Sequence, residues 1–176
     1  TKPVVHASVQ LTSKGKEEIE EVVNRYKGSV FNDTKIGCMK IQPIHLDYDA
    51  DFKPRQPSFR NIPFFYQEQV SNLLSFLKEE GVISDVDPRQ SYDCVMNVVI
   101  TDKANGQIRM NIDNTPRNPG LKRTKFHVQT PQEIRLELKE ATIFSEMDMG
   151  WAYHQVPIDE ETKEKTIFQT HEGLHR

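Results

Sequence analysis

Asp148 closes the run Ile143-Phe144-Ser145-Glu146-Met147, and the aromatic Tyr153 follows five residues later. Ile143, Phe144 and Met147 read as a buried strand. A carboxylate at the end of such a strand is costly unless something positive meets it. Where phosphate chemistry is done, the usual partner is a divalent metal. The second group with chemical potential is basic: Lys122, Arg123 and Lys125, with Arg117 nearby. The net charge of the chain is -3, so nucleic-acid binding has to come from a local patch of this kind. A solvated loop is the other reading of the same residues.

These groups need elements to hold them. The 176 residues, 36% apolar, are enough for one ordinary domain. The pattern predicts a helix over residues 14–27, with Ser13 as cap, a stripe of Ile19, Val22, Val23 and Tyr26, and Gly28 as stop. A loop over 29–37 follows, then an edge strand from Met39 to Leu46 interrupted by Pro43. Asp47 to Pro63 is polar and proline-rich and reads as extended chain. Val70, Leu73, Leu74 and Leu77 mark a second helix over 65–79, ended by Gly81. Cys94 to Thr101 and Gln107 to Ile112 read as a hairpin turned by Asn105-Gly106, two residues that tolerate positive φ. Thr130-Pro131-Gln132-Glu133 is a capping box opening a helix to about 139. A strand at 142–148, a charged stretch from Asp159 to Lys165 and a short strand from Thr166 to Thr170 complete the chain.

The stretch Phe144 to Ile158 resembles the first catalytic motif of reverse transcriptases from gypsy-type LTR retrotransposons and retroviruses, roughly F-S-x-Φ-D-Φ-x-x-[GA]-Y-H-Q-Φ-x-Φ. Phe144, Ser145, Asp148, Ala152, Tyr153, His154, Gln155 and Ile158 fit it. Gly106-Gln107-Ile108-Arg109-Met110-Asn111-Ile112-Asp113 is similar to that family's G-x-[IW]-R-Φ-x-Φ-D hairpin, and Asn118 sits where the family keeps the Asn of D-[YF]-R-x-L-N. Ile62-Pro63 through Gly81-Val82-Ile83 looks like its opening helix. The likeness covers about residues 40 to 176.

The resemblance implies an α+β fold: the fingers and first part of the palm of a right-hand polymerase, truncated before the Y-x-D-D hairpin. It implies an N-terminal connector at 1–37, fingers at 38–122, the first palm segment at 123–155, and a return toward the fingers at 156–176. It gives Asp148 the role of first metal-binding carboxylate and the Met149 carbonyl that of neighbouring ligand, for Mg2+ or Mn2+. Lys103 and Arg109 would contact the triphosphate of a dNTP. Trp151, Ala152 and Tyr153 would line the nucleotide site, with the Tyr153 ring under the sugar. Asp113 would have a structural part, fixing an arginine or backbone groups. The implied partners are an RNA or DNA primer–template, a dNTP and the remaining polymerase segments.

The chain also departs from the pattern. Thr115 replaces a usual Arg, Pro116 enters, Ala104 and Gln107 stand where the hairpin usually carries Lys, and Trp151 takes the position of a small or polar residue. The Y-x-D-D carboxylates and the primer-gripping segments are not in the sequence. One carboxylate cannot hold two metals against the charge of the phosphates, so the chain is not expected to polymerise DNA by itself.

Two other functions compete. His171-Glu172-Gly173-Leu174-His175 spells H-E-x-x-H, which on a helix binds zinc for hydrolysis. Gly173 and the strand-like residues before it argue against that helix. A domesticated or truncated remnant that binds nucleic acid or protein without catalysis is the other alternative. Cys38 and Cys94 fit no metal spacing and read as reduced thiols of an intracellular protein, cytoplasmic or nuclear. With no apolar run near 18 residues, no membrane helix is expected. The missing initiator Met suggests a piece of something longer.

Overall fold

A computed structural model describes residues 12–30, 35–125, 127–139, 141 and 148–176. All but the last residue of the strand expected at 142–148 lies outside them. The chain divides into two compact units, Thr1–Ile36 with Thr124–Ala152, and Gly37–Arg123 with Tyr153–Arg176.

The first unit carries two helices. Helix α1 spans Ser13–Arg25 and is capped by Thr12, whose hydroxyl accepts from the Gly15 N–H at 3.2 Å. Ser13, the expected cap, is instead the first helical residue, because the extended backbone of Thr12 aims its hydroxyl at the open N–H groups. The helix stops at Tyr26, short of Gly28. Its apolar stripe of Ile19, Val22 and Tyr26 is exposed. The other helix of this unit, α3 in chain order, spans Pro131–Glu137 and opens on the expected capping box. The Thr130 hydroxyl accepts from the Glu133 N–H at 3.3 Å, and the Glu133 carboxylate accepts from the Thr130 N–H at 2.6 Å. Those bonds from Thr130 hold the Glu133 carboxyl below its usual range.

The second unit holds the core. Helix α2, Phe64–Glu79, buries Val70, Leu74 and Leu77, as its periodicity predicts, and turns off at Gly81 with φ +71°. Val70 and Leu74 pack with Cys94, Met96, Val98, Ile108 and Phe168. Strands β1 (Val98–Asp102) and β2 (Ile108–Ile112) form an antiparallel ribbon. Helix α4 (Glu160–Glu164) precedes a second hairpin, β3 (Phe168–Thr170) and β4 (Gly173–His175). Beta3 bridges Met96 in parallel, while β4 meets residue Asp85 in antiparallel fashion.

The first strand of the ribbon is shorter than expected, for a local reason. The Gln56 amide takes the place of a neighbouring strand beside Val95, accepting from its N–H at 2.8 Å and donating to its carbonyl at 3.0 Å. Asn97, 2% exposed, accepts from the Arg60 N–H and the Gln169 amide and donates to the Ser58 carbonyl. A buried amide so fully paired fixes several segments at once.

The strand expected from Met39 to Leu46 is not formed. Met39 and Ile41 close a tight turn, and Pro43 has no N–H to give. What remains is a strap. Met39 donates to Gln155, Ile44 to Pro157 and Asp49 to Gly120, while Leu46 donates to the buried Thr162 hydroxyl. Ile44 alone bridges Ile158. Cys38 is exposed, Cys94 is buried, and both are free thiols. No helix among the described residues is long and apolar enough to cross a membrane.

Candidate functional site

The β1–β2 ribbon presents two of the candidate residues. Its register sets Arg109 opposite Thr101, and the alternation that buries Ile108 leaves Arg109 exposed. The Lys103 N–H donates to the Gln107 carbonyl at 2.7 Å, and the Gly106 N–H to the Lys103 carbonyl at 3.0 Å. Of the turn pair, only Gly106 takes positive φ, at +79°. The connection is therefore a turn closed by a left-handed glycine, longer than the two-residue form that Asn105-Gly106 suggests. The Asn105 side chain accepts from the Gln107 N–H at 3.2 Å and stiffens the tip. The Tyr66 hydroxyl donates to Asp102 at 2.9 Å and fastens the ribbon to α2. Asp113 is structural: it accepts from the Thr115 N–H at 3.2 Å and lies 3.5 Å from Arg60. Hydrogen bonds from Thr115 and the nearby Arg60 charge hold its carboxyl low.

Asp148, Met149, Trp151 and Ala152 belong to the first unit, and Tyr153 opens the returning segment of the second. The Asp148 and Met149 residues are both exposed. Trp151 has φ +56°, a left-handed conformation that a bulky residue rarely adopts. A short 3-10 turn over Ala152–Gln155 follows it. Tyr153 is 93% exposed, which excludes a packed core tyrosine. Among the described residues, no three or more His, Cys, Asp or Glu gather in a metal-holding group. Within the described stretch 148–153 Asp148 is the one carboxylate, which does not by itself fit a divalent-metal cage.

The basic cluster does not hold together as read from the sequence. Arg117 is 3% exposed, and its guanidinium forks onto Asp93 and reaches the Cys94 carbonyl at 3.3 Å. It is a buried tie and not a surface contact, since a guanidinium taken from water needs its partner close at hand. Asp93 escaped the sequence reading because it lies far from Arg117 in the chain. Lys122 is exposed beside Asp47 at 3.2 Å, and Arg123 and Lys125 are exposed.

The H-E-x-x-H pattern is likewise redistributed. Thr170 and Gly173 pair at the end of the β3–β4 hairpin, so His171 and Glu172 form its turn and His175 lies in β4. His171 meets Ser71 at 3.1 Å, whereas His175 is 1% exposed and contacts Thr170 and Asp85. Without a helix the two imidazoles share no face for zinc. Asp85, His175 and Thr170 do line up as a carboxylate–imidazole–hydroxyl series. The Thr170 residue is only 5% exposed, which leaves no approach for a substrate to its hydroxyl.

The fold is that of part of a retroviral reverse transcriptase. Prototype foamy virus protease–reverse transcriptase superposes with a TM-score of 0.75 at 20% identity, over 95% of this chain and 22% of that one. The foamy viral enzyme in complex with an RNA/DNA hybrid gives 0.71 at 16% identity, over 94% of this chain and 22% of that one. In sequence, the chain is 33% identical over 120 residues to an uncharacterized protein of Caenorhabditis elegans, covering 66% of this chain and 9% of that protein. The chain thus spans less than a quarter of these proteins' lengths. No family model matches it.

Proposed function

We propose that the chain is a portion of the RNA-directed DNA polymerase of a gypsy-type retroelement, comprising fingers and the first palm segment. The observation that carries this reading is the 0.75 superposition on the foamy virus enzyme across 95% of the chain. The Asp148-to-Tyr153 motif and the Arg109 ribbon, in matching order, add support from sequence. Residues 38–122 are then fingers-like, 123–155 the first palm segment, 156–176 the chain returning toward the fingers, and 1–37 a connector.

In this reading Arg109 and Lys103 meet the triphosphate of an incoming dNTP. A planar guanidinium suits phosphate oxygens because it donates as a fork. Trp151, Ala152 and Tyr153 line the nucleotide, and the exposure of the Tyr153 ring supports its being offered to a ligand. Asp148, with the Met149 carbonyl, supplies one edge of a Mg2+ or Mn2+ site whose other carboxylates come from further polymerase segments. The setting is intracellular, cytoplasmic or nuclear. A primer–template of RNA or DNA is the nucleic-acid partner, and the foamy enzyme's capture with an RNA/DNA hybrid supports it. Arg123 and Lys125 are the exposed cations suited to its backbone.

Fluorescence anisotropy of a labelled primer–template across a salt series tests the reading. Affinity should fall linearly with log salt, and replacing Arg123 and Lys125 together by Ala should reduce the slope by about two. Absence of binding at low salt would remove the nucleic-acid role.

A further inference from the structure

The buried His175 does work that the polymerase reading does not use. Its Nδ1 lies 3.0 Å from Asp85 Oδ1, and its Nε2 lies 2.9 Å from Thr170 Oγ1. A carboxylate only accepts, so Nδ1 carries the proton and Nε2 is left to accept from the Thr170 hydroxyl. Thr170 Oγ1 in turn accepts from the Glu172 N–H at 3.2 Å. The neutral imidazole therefore satisfies every group around it.

A second proton upsets this order. Nε2–H would face the Thr170 oxygen, and the Thr170 hydroxyl proton would lose its acceptor inside the protein. Lys78 from α2 stands 2.8 Å from the same Asp85 carboxylate and opposes another positive charge. Glu172 in the hairpin turn, 4.0 Å from Lys78, and Asp85 itself pull the other way. Burial, then the Lys78 charge, outweigh them and hold the imidazole below its ordinary value.

The position of His175 gives this a mechanical meaning. Beta4 is joined to residues 84–86 through Ser84 and Arg176, which exchange N–H and carbonyl, and through the Val86 N–H to the Leu174 carbonyl. On its other side β3 takes the Met96 N–H at Ile167 and gives the Gln169 N–H to Met96, just ahead of β1. We propose that His175 is a proton-sensitive latch that clamps the β3–β4 hairpin between residues 84–86 and the root of the β1–β2 ribbon. Acidification opens the latch and frees the root of the ribbon from its support.

Two-dimensional NMR of the imidazole nitrogens in the whole chain, with hydrogen exchange corrected for intrinsic rates, tests it. The expected result is a neutral Nδ1–H tautomer that titrates below pH 6.5, with protection at Val86 and Gln169 falling over the same range. Lys78→Met should raise the titration midpoint, and His175→Gln should make the protection insensitive to pH. Titration at or above 6.5, the opposite tautomer, or protection that falls equally in wild type and His175→Gln would overturn the proposal. Should His175→Gln fail to fold, the direction of the midpoint shift in Lys78→Met decides.

Discussion

Gly120 faces the ring of Phe52 so closely that an added β-carbon would lie 2.1 Å from Cδ1. Nothing about φ requires glycine there; the ring does. Gly120→Ala should destabilise the second unit by about 1–3 kcal/mol, the usual cost of forced overpacking. Urea denaturation measures it, and a double-mutant cycle with Phe52→Ala identifies the cause: once the ring is gone, the added methyl should cost little. Arg117 shows why single residues are hard to read from sequence. It lies a few residues before Lys122 and Arg123 in an otherwise polar stretch, so it looks like one more surface cation. Turn bonds from the Arg117 and Asn118 N–H groups to the Asn114 carbonyl fold it inward, onto a carboxylate that spacing cannot reveal. Tyr153 is the converse. Its type alone suggests packing, yet its ring is exposed.

Helix α4 has only five residues and depends on its cap. Asp159 Oδ1 accepts from the Thr162 N–H at 2.8 Å, and Oδ2 lies 2.6 Å from His45 in the strap. Hydrogen bonds from Thr162, with a smaller part from His45, lower the Asp159 carboxyl from 3.8 to about 2. A carboxyl lowered on folding adds stability that is complete above 3.8 and disappears as pH falls toward 2. The Thr162 amide shift should follow that acid transition in the wild type and stay flat in Asp159→Ala, where α4 frays. Elements with local signals were legible in the sequence: the Val70–Leu77 periodicity, the Thr130 box and the Gly106 turn. Cap choice between Thr12 and Ser13 depends on a backbone angle that residue types do not reveal. The Met39–Leu46 segment has a strand's composition, but apart from the Met39–Ile41 turn the hydrogen bonds of Met39, Ile44 and Leu46 go to partners more than a hundred residues away. No local pattern carries that information.

At the scale of the whole molecule, charge and chemistry point the same way. A net charge of -3 leaves nucleic-acid binding to local cations. A single exposed aspartate cannot organise two metals for phosphoryl transfer. With Mg2+ or Mn2+, a primer–template and dNTPs, the chain alone should incorporate nothing in a primer-extension assay. Template-dependent extension would show that the missing carboxylates are not needed, contrary to the proposed division of labour. The order of the candidate motifs was readable without any structure, because each motif is short and contiguous. How Arg117 and His175 are used was not, because each depends on a distant partner. The strap carries a further consequence for how the chain is made. Leu46 waits for Thr162, 116 residues later, and His45 for Asp159, 114 residues later. At ordinary ribosomal speeds that interval is on the order of ten seconds. Throughout it His45 and Leu46 lack the groups they bond in the finished chain, so this stretch of the strap settles later than its Asp49 end, which meets Gly120.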